Sequence, residues 1–248
     1  MNVLAGRETV RAWVAEAGHI AVLTGAGVSA ESGVPTFRDA QTGLWAQFDP
    51  QELATEVAYR AHPERVWDWY AHRRTLLAQA RPNAGHEALA AFAQANQGRL
   101  TLITQNVDGL HQLAGQPETV ALHGDLMRDR WLDAPRACCD EQTLEDGRPP
   151  ACGVCGNHRR PAVVWFGENL PADALAAAEL AVQRCDLMLV VGTSGQVYPA
   201  AGLAFAAHQR GARVVVINPE VTEIDRIADA CLRESSALCL PYLLKESV

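Results

Sequence analysis

The chain alternates short apolar, β-branched runs with Ala-rich segments whose apolar residues recur at a helical period. Each run is long enough for one strand, and its continuous hydrophobicity is typical of a parallel sheet covered on both faces. The predicted strands are 19–24, 100–104, 120–123, 187–191 and 213–218. Segments 171–184 and 200–210 predict covering helices. We therefore predict an α/β fold with a Rossmann-like, doubly wound parallel sheet.

Two segments interrupt this alternation. Segment 35–82 is rich in aromatic residues and looks helical, whereas 129–161 is rich in Pro, Arg, Asp and Cys and has no periodicity. We predict that insertions 35–83 and 129–161 form a small domain with a helical and a zinc-ribbon-like part. The Rossmann-like domain would then comprise 1–34, 84–128 and 162–248.

Composition narrows the classes of function. The chain has 248 residues, 48% of them hydrophobic, and a net charge of −8, which argues against binding to nucleic acid or an anionic membrane. No apolar run approaches the roughly 20 residues that span a bilayer, and no basic-then-apolar leader opens the chain. We expect a cytoplasmic monomer. In that compartment the seven cysteines favour metal binding or free thiols over disulfides.

The first predicted strand leads directly into Gly25, Ala26, Gly27 and Ser29. Small residues at such a turn let the backbone approach a pyrophosphate, but a tight turn without a ligand is the alternative. A dehydrogenase would continue the following helix. Here the segment 31–38 would end it early, and Phe37 and Arg38 would then lie over the phosphate site, where they could cover a reactive ring and pair with phosphate.

The segments 25–38, 104–111, 122–124, 164–168, 192–194 and 197–200 together resemble the sirtuin family of NAD-dependent protein lysine deacylases. They occur in the order and spacing of that family across nearly the whole chain. The resemblance implies that NAD is consumed as a co-substrate. Nicotinamide would leave as the acyl-lysine oxygen attacks, His123 would take a proton from a ribose hydroxyl, and O-acyl-ADP-ribose would form.

The resemblance also assigns residues to the site. Implied catalytic residues are His123, Asn106 and Asp108, although Asn106–Asp108 alone would be read as a turn. Gln105 would lie near the ribose. The implied NAD-binding residues are Gly25, Ala26, Gly27, Ser29, Glu31, Pro35, Thr36, Phe37, Arg38, Gln105, Asn106, Asp108, Gly192, Thr193, Ser194, Val197, Asn218, Glu220 and Ser236.

The acyl-lysine protein or peptide substrate has its own candidate residues. Val164, Phe166, Gly167 and Glu168 would hold the peptide at an exposed edge, unless the segment is an internal strand.

Tyr70 and Arg73 share a face of a predicted helix that runs from Pro63 to about Ala80. They match the Tyr-x-x-Arg of class III sirtuins, and Ala40 matches the small residue that widens the acyl pocket. A guanidinium can clasp a distal carboxylate through two hydrogen bonds. This predicts a preference for succinyl, malonyl or glutaryl groups. The alternative places Arg73 on a solvated face, as expected of His72 and Arg74.

The chain departs from the family at the zinc site. The usual first Cys-x-x-Cys pair would fall at Trp131 and Ala134, whereas the second, Cys152 and Cys155, is intact. Neighbouring Cys138 and Cys139 could complete a structural zinc site of four thiolates. Three cysteines with His158, or no metal, are the alternatives.

Functions of other classes compete with the deacylase. A nicotinamide-dependent oxidoreductase shares the glycine turn but explains neither Phe37 with Arg38 nor His123. The remaining candidates are a non-catalytic NAD or ADP-ribose sensor and an ADP-ribosyl transferase.

Overall fold

The computed structural model describes residues 5–35 and 53–245. The strands in this part of the chain are β1 (Ile20–Thr24), β2 (Leu100–Thr104), β3 (Thr119–Ala121), β4 (Gly124–Trp131), β5 (Leu144–Glu145), β6 (Ala151–Cys152), β7 (Arg159–Val163), β8 (Leu187–Val191), β9 (Arg213–Ile217) and β10 (Ala230–Leu232). In the described residues one six-stranded sheet has the order β3-β2-β1-β8-β9-β10, and all its pairings are parallel.

Helices cover both faces of this sheet. The α-helices are Arg7–Glu16, Glu56–Ala61, Pro63–Leu77, Ala84–Ala95, Leu110–Leu113, Ala172–Arg184, Gly202–Gln209 and Ser236–Leu244, and 3-10 helices span Ala26–Ser32 and Glu223–Ile227. Successive residues of β1 point to opposite faces, so Val22 joins one buried apolar cluster while Ala21 and Leu23 join another. The predicted α/β class and doubly wound sheet are confirmed.

The predicted strand boundaries were close but not identical. The strand predicted at 120–123 is Thr119–Ala121, so His123 lies beyond its end. Residues 19 and 218 also lie just outside their strands. The prediction missed β10, because a run of three residues gives no periodicity to detect.

A third apolar cluster lies outside the large sheet. β4 pairs with β7 in antiparallel orientation, and β5 pairs with β6. Tyr59 and Tyr70 of the helical segment pack in one cluster with Leu126, Val163 and Trp165. The helical insertion and the β4–β7 pair thus share a core. The boundaries proposed for the small domain stay a prediction.

The length and polarity of the helices bear on membrane insertion. Within the described residues, no helix combines the length and the apolar character needed to cross a bilayer.

Candidate active site

The loops that follow β1 and β8 lie backbone against backbone at the carboxyl edge of the sheet. The Gly27 N–H donates to the Gly192 carbonyl at 2.8 Å. A Cβ on Gly27 would lie 2.8 Å from the Gly192 Cα, and Gly192 itself has a φ of +60°. The glycines therefore permit two loops to meet, in addition to the approach to a pyrophosphate that the sequence predicted. The strand order reverses at this point, where open α/β sheets bind ligands.

Ser29, Asn106 and Asp108 form a compact polar group beside this loop. The Ser29 hydroxyl donates to Asp108 Oδ2 at 2.7 Å and accepts from Asn106 Nδ2 at 3.2 Å. The other Asp108 oxygen accepts from the Leu110 backbone N–H at 2.9 Å. Ser29 is fully buried and Asp108 nearly so. A carboxylate and an amide are thus held with fixed orientation at the end of β2, where the sequence placed them.

Two buried histidines behind this group were missed by the sequence analysis. His86 Nε2 lies 3.3 Å from the Ser29 hydroxyl, and its Nδ1 accepts from the Asn83 backbone N–H. The His111 ring lies 4.7 Å from that of His86, centroid to centroid. Desolvation lowers the pKa of both, that of His111 to about 3. Asn83 is the N-cap of helix Ala84–Ala95, and His86, three residues later, completes a capping box with it. This spacing of three residues is the sequence signal that could have pointed to His86.

His123 lies between the end of β3 and the start of β4. Its Nδ1 is 2.9 Å from the Gln105 carbonyl oxygen, which only accepts, so Nδ1 donates. In the neutral ring Nε2 is then unprotonated and available as a base. Burial lowers the pKa of His123 and outweighs the hydrogen bond to Gln105, which raises it. The ring is therefore neutral at physiological pH.

Gly124, next to His123, is a glycine that the backbone requires at this position. Its φ is +84°, and a Cβ there would lie 2.1 Å from the Ala162 carbonyl oxygen. Only glycine allows β4 to approach β7 this closely. The residue therefore fixes the position of His123 through the backbone.

Polar groups that follow β2, β8 and β9 converge along the same edge of the sheet. Gln105 Nε2 donates to Thr193 Oγ1 at 3.1 Å, and Asn218 Nδ2 donates to the Thr193 carbonyl at 3.0 Å. Hydroxyls and amides of this kind suit ribose hydroxyls and a carboxamide. With Ser29, Asn106 and Asp108, they form a donor and acceptor set that fits NAD.

The remaining predicted NAD-binding residues occupy several environments. Ser236 is buried at the start of helix Ser236–Leu244, and its hydroxyl donates to the Val28 carbonyl at 3.4 Å. Ala26 and Ser194 are half-buried. Glu31, Pro35, Val197 and Glu220 are exposed. Thr36, Phe37, Arg38 and Ala40 lie outside the described residues, and their assignments stay predictions.

The predicted peptide-binding segment follows β7 and forms neither an edge strand nor an internal strand. The Val164 N–H donates to the His123 carbonyl at 2.8 Å, which joins this segment to His123. Phe166 and Gly167 are exposed, whereas Glu168 accepts hydrogen bonds from Arg130, Arg160 and the Trp165 N–H. The Glu168 carboxylate is thus hydrogen-bonded within the protein. Burial raises its pKa, but the hydrogen bonds from Arg160 and Trp165 outweigh burial, so the pKa is lowered.

Tyr70 and Arg73 face the protein interior from helix Pro63–Leu77. Tyr70 is 3% exposed, and its hydroxyl accepts from the Trp165 indole N–H at 2.9 Å. The Arg73 guanidinium lies 4.8 Å from the centroid of the Trp69 ring. Desolvation lowers the pKa of Arg73, and nearby Tyr70 opposes this. Arg73 is therefore not on a solvated face.

The prediction for Arg74 was wrong. Its guanidinium does not face solvent but donates to the Leu126 carbonyl at 2.7 Å and to Asp129 Oδ1 at 2.5 Å, both on β4. Helical spacing alone could not show this, because β4 reaches Arg74 only through the tertiary fold. His72 is exposed, as expected.

Four cysteines form a cluster in the segment between β4 and β7. The sulfur atoms of Cys138, Cys139, Cys152 and Cys155 all lie within 4.8 Å of one another. Tetrahedral zinc with Zn–S bonds of about 2.3 Å needs sulfurs roughly 3.8 Å apart, so the cluster can bind a structural zinc. Among the described residues this group includes no histidine, which disfavours the alternative with His158.

One cysteine of the cluster, Cys152, has a lowered thiol pKa. Although burial raises the pKa of Cys152, the backbone N–H groups of Cys155 and Val154 hold it down at about 6. Zinc binds the thiolate form, so these hydrogen bonds favour the state that the metal requires.

A doubly wound sheet with these polar groups at its carboxyl edge defines a nucleotide-binding α/β protein. Comparison with known proteins gives the family: the profile described as Sir2 family matches residues 25–199, more than half of the chain. A protein of Ralstonia nicotianae named NAD-dependent protein deacylase is 56% identical over 234 residues, covering 94% of each chain. This protein belongs to the Sir2 family, which confirms the resemblance seen in the sequence.

Solved structures agree with the family assignment. A Sir2 homologue in complex with NAD has a TM-score of 0.86 and 42% identity, covering 96% of this chain and 92% of its own. A Sir2 protein bound to a propionylated peptide has a TM-score of 0.80 and 30% identity, covering 95% of this chain and 96% of its own.

Proposed function

We propose that this chain, an NAD-dependent protein deacylase of the Sir2 family, prefers acyl-lysine substrates whose acyl group ends in a carboxylate. Succinyl, malonyl and glutaryl groups are of this kind, and acetyl is the weaker substrate. The products would be free lysine, nicotinamide and O-acyl-ADP-ribose. The observation that carries the acyl preference is the environment of Arg73.

Arg73 is a partly buried cation without a carboxylate partner in the part of the chain that the structure describes. Among the described residues, no Asp or Glu lies within ion-pair distance of its guanidinium, although arginines elsewhere in the fold have such partners. A guanidinium stays protonated even where its pKa is lowered, and a desolvated charge costs free energy unless it is paired. A carboxylate at the far end of the substrate would supply that pair. An acetyl group would leave the cation uncompensated.

The residues around His123 support the base chemistry. NAD, when bound, would supply the ADP-ribosyl group that accepts the acyl oxygen and would release nicotinamide. His123 would then take a proton at Nε2, because its Nδ1 is committed to the Gln105 carbonyl. Its lowered pKa keeps the ring unprotonated before that step. Ser29, Asn106 and Asp108 would orient the nicotinamide end of the ligand.

The acyl preference is tested by comparing kcat/KM for succinyl-lysine and acetyl-lysine versions of one peptide. We expect the wild type to favour succinyl. Arg73→Met should lower the succinyl-to-acetyl ratio at least roughly 30-fold, which corresponds to about 2 kcal/mol for losing one partner of a buried charge pair. Arg74→Met is the matched control, since that guanidinium binds β4, and it should leave the ratio unchanged. An unchanged ratio in Arg73→Met would refute the acyl assignment.

Replacing His123 distinguishes an enzyme from a module that only binds NAD or ADP-ribose. We expect His123→Tyr to lose acyl-peptide turnover while it retains binding of ADP-ribose by calorimetry. Nicotinamide release from wild-type protein with an acyl peptide is the second readout, and it excludes a hydride-transfer enzyme. Full turnover in His123→Tyr would contradict the mechanism, and ADP-ribose binding without turnover in the wild type would indicate a sensor.

A further inference from the structure

The indole of Trp165 connects the segment after β7 to the acyl pocket. Trp165 is 1% exposed, and its indole N–H donates to the Tyr70 hydroxyl oxygen at 2.9 Å. Tyr70 lies one helical turn from Arg73 on the same face of helix Pro63–Leu77. The hydrogen bond therefore joins Trp165 to the residue pair that would recognise the acyl group.

Trp165 is itself held on several sides. Its backbone N–H donates to Glu168 Oε2 at 2.8 Å. The Arg160 guanidinium stacks 3.2 Å from the centroid of the indole ring and also donates to Glu168 Oε2 at 3.1 Å. The Arg160 side chain is only 1% exposed, and its carboxylate partner compensates its charge. These contacts leave the indole N–H little freedom to point elsewhere.

The direction of this hydrogen bond decides what Tyr70 can offer a ligand. A phenol oxygen accepts up to two hydrogen bonds and donates one. The indole N–H occupies one accepting position, and it has no lone pair to receive the phenol proton in return. Burial raises the pKa of Tyr70 to about 12, so the proton stays on the phenol. Among the described residues, the Tyr70 hydroxyl is therefore available as a donor to a group beside Arg73.

We propose that Trp165 is a positioning residue for acyl specificity, which orients the Tyr70 hydroxyl as a hydrogen-bond donor to the distal carboxylate of the substrate. This inference rests on the proposed preference for acidic acyl groups. A carboxylate accepts both from Arg73 and from Tyr70. A methyl-terminated acyl group accepts from neither, so loss of the indole N–H should affect the acidic substrates selectively.

The test is a double-mutant cycle of Trp165→Phe and Tyr70→Phe, with Arg73→Met measured in parallel. Trp165→Phe removes the indole N–H and keeps an aromatic ring. We expect it to lower the succinyl-to-acetyl ratio of kcat/KM about 10-fold, mainly through a higher KM for the succinyl peptide. In the Tyr70→Phe background the same substitution should change the ratio less than about 2-fold, because the oxygen it orients is absent.

Each outcome separates this inference from the proposed function. If Arg73→Met and Tyr70→Phe abolish a succinyl preference but Trp165→Phe does not, the inference fails and the proposed function stands. An equal loss of ratio from Trp165→Phe with and without the Tyr70 hydroxyl would show a packing effect and also overturn it. If the wild type has no succinyl preference, the proposed function fails first.

A second measurement leaves Trp165 intact in case its replacement prevents folding. In protein labelled with nitrogen-15 at tryptophan, the Trp165 indole N–H resonance should shift in Tyr70→Phe. It should also shift more on binding a succinyl-lysine peptide than on binding an acetyl-lysine peptide. Equal shifts with both peptides would refute the orienting role.

Discussion

The buried imidazole of His111 gives the protein a specific sensitivity to acid. Burial, together with the neighbouring His86 ring, lowers the pKa of His111 to about 3. An imidazole in the unfolded chain titrates near ~6.5, so the unfolded state binds more protons between these two pH values. The contribution to stability is complete above pH ~6.5 and is lost as the pH falls toward ~3.

The magnitude follows from the two pKa values. A pKa difference of about 3.5 units between the folded and unfolded states corresponds to roughly 5 kcal/mol of folding stability in total. About 2 kcal/mol of this stability is lost by pH ~5. Because the ring is 1% exposed, solvent screening reduces this loss of stability only slightly. In the folded state Nε2 lies 3.1 Å from the Thr24 hydroxyl, whereas no described residue forms a hydrogen bond with Nδ1. A proton added at Nδ1 would therefore be buried without a partner.

The assay is urea unfolding, followed by circular dichroism, at pH ~8 and pH ~5. His111→Gln retains an amide that can donate to Thr24 but does not titrate. From pH ~8 to pH ~5, the free energy of unfolding should fall by about 2 kcal/mol more in the wild type than in this variant. Any loss of zinc at low pH affects both proteins and cancels in the difference. His208→Gln, which removes an exposed imidazole, is the control variant. Equal losses in wild type and His111→Gln would refute the reasoning.

Three further predictions concern stability and the metal. Cys152→Ser should reduce the zinc content, measured by atomic emission, from about one equivalent per chain to under half an equivalent, and it should also lower Tm. Full zinc content in this variant would exclude Cys152 as a ligand. Glu168→Gln leaves buried Arg160 without its carboxylate and should cost about 3 kcal/mol in chemical denaturation, and a loss below about 1 kcal/mol would contradict this. Gly27→Ala places a Cβ 2.8 Å from Gly192, so calorimetry should show weaker ADP-ribose binding; unchanged affinity would mean that the loops can separate.

The sequence by itself determined most of the sheet. Continuous apolar runs such as Leu187–Val191 can be buried only between two layers, so their pattern predicts parallel strands before any contact is known. Polar residues that follow such runs must lie at the carboxyl edge, which located Gln105, Asn106 and Asp108. The succession of segments was specific enough to give the family.

Only the tertiary structure decided which side chains meet. The Trp165–Tyr70 hydrogen bond joins residues 95 positions apart, and the Ser29–His86 contact joins residues 57 apart. Neither has a local signal, because periodicity reports which face of an element is buried and not what packs against it. The same limit produced the error at Arg74, whose partners are on β4.

The cysteine cluster shows the two contributions together. The sequence supplied the intact pair Cys152 and Cys155 and the adjacent Cys138 and Cys139, but it left zinc with a histidine, or no metal, open. The fold brings all four sulfurs within 4.8 Å. Metal ligands must lie at set distances from one another, and those distances depend on how the segment folds. Residue spacing alone could therefore suggest this site but could not show which side chains form it.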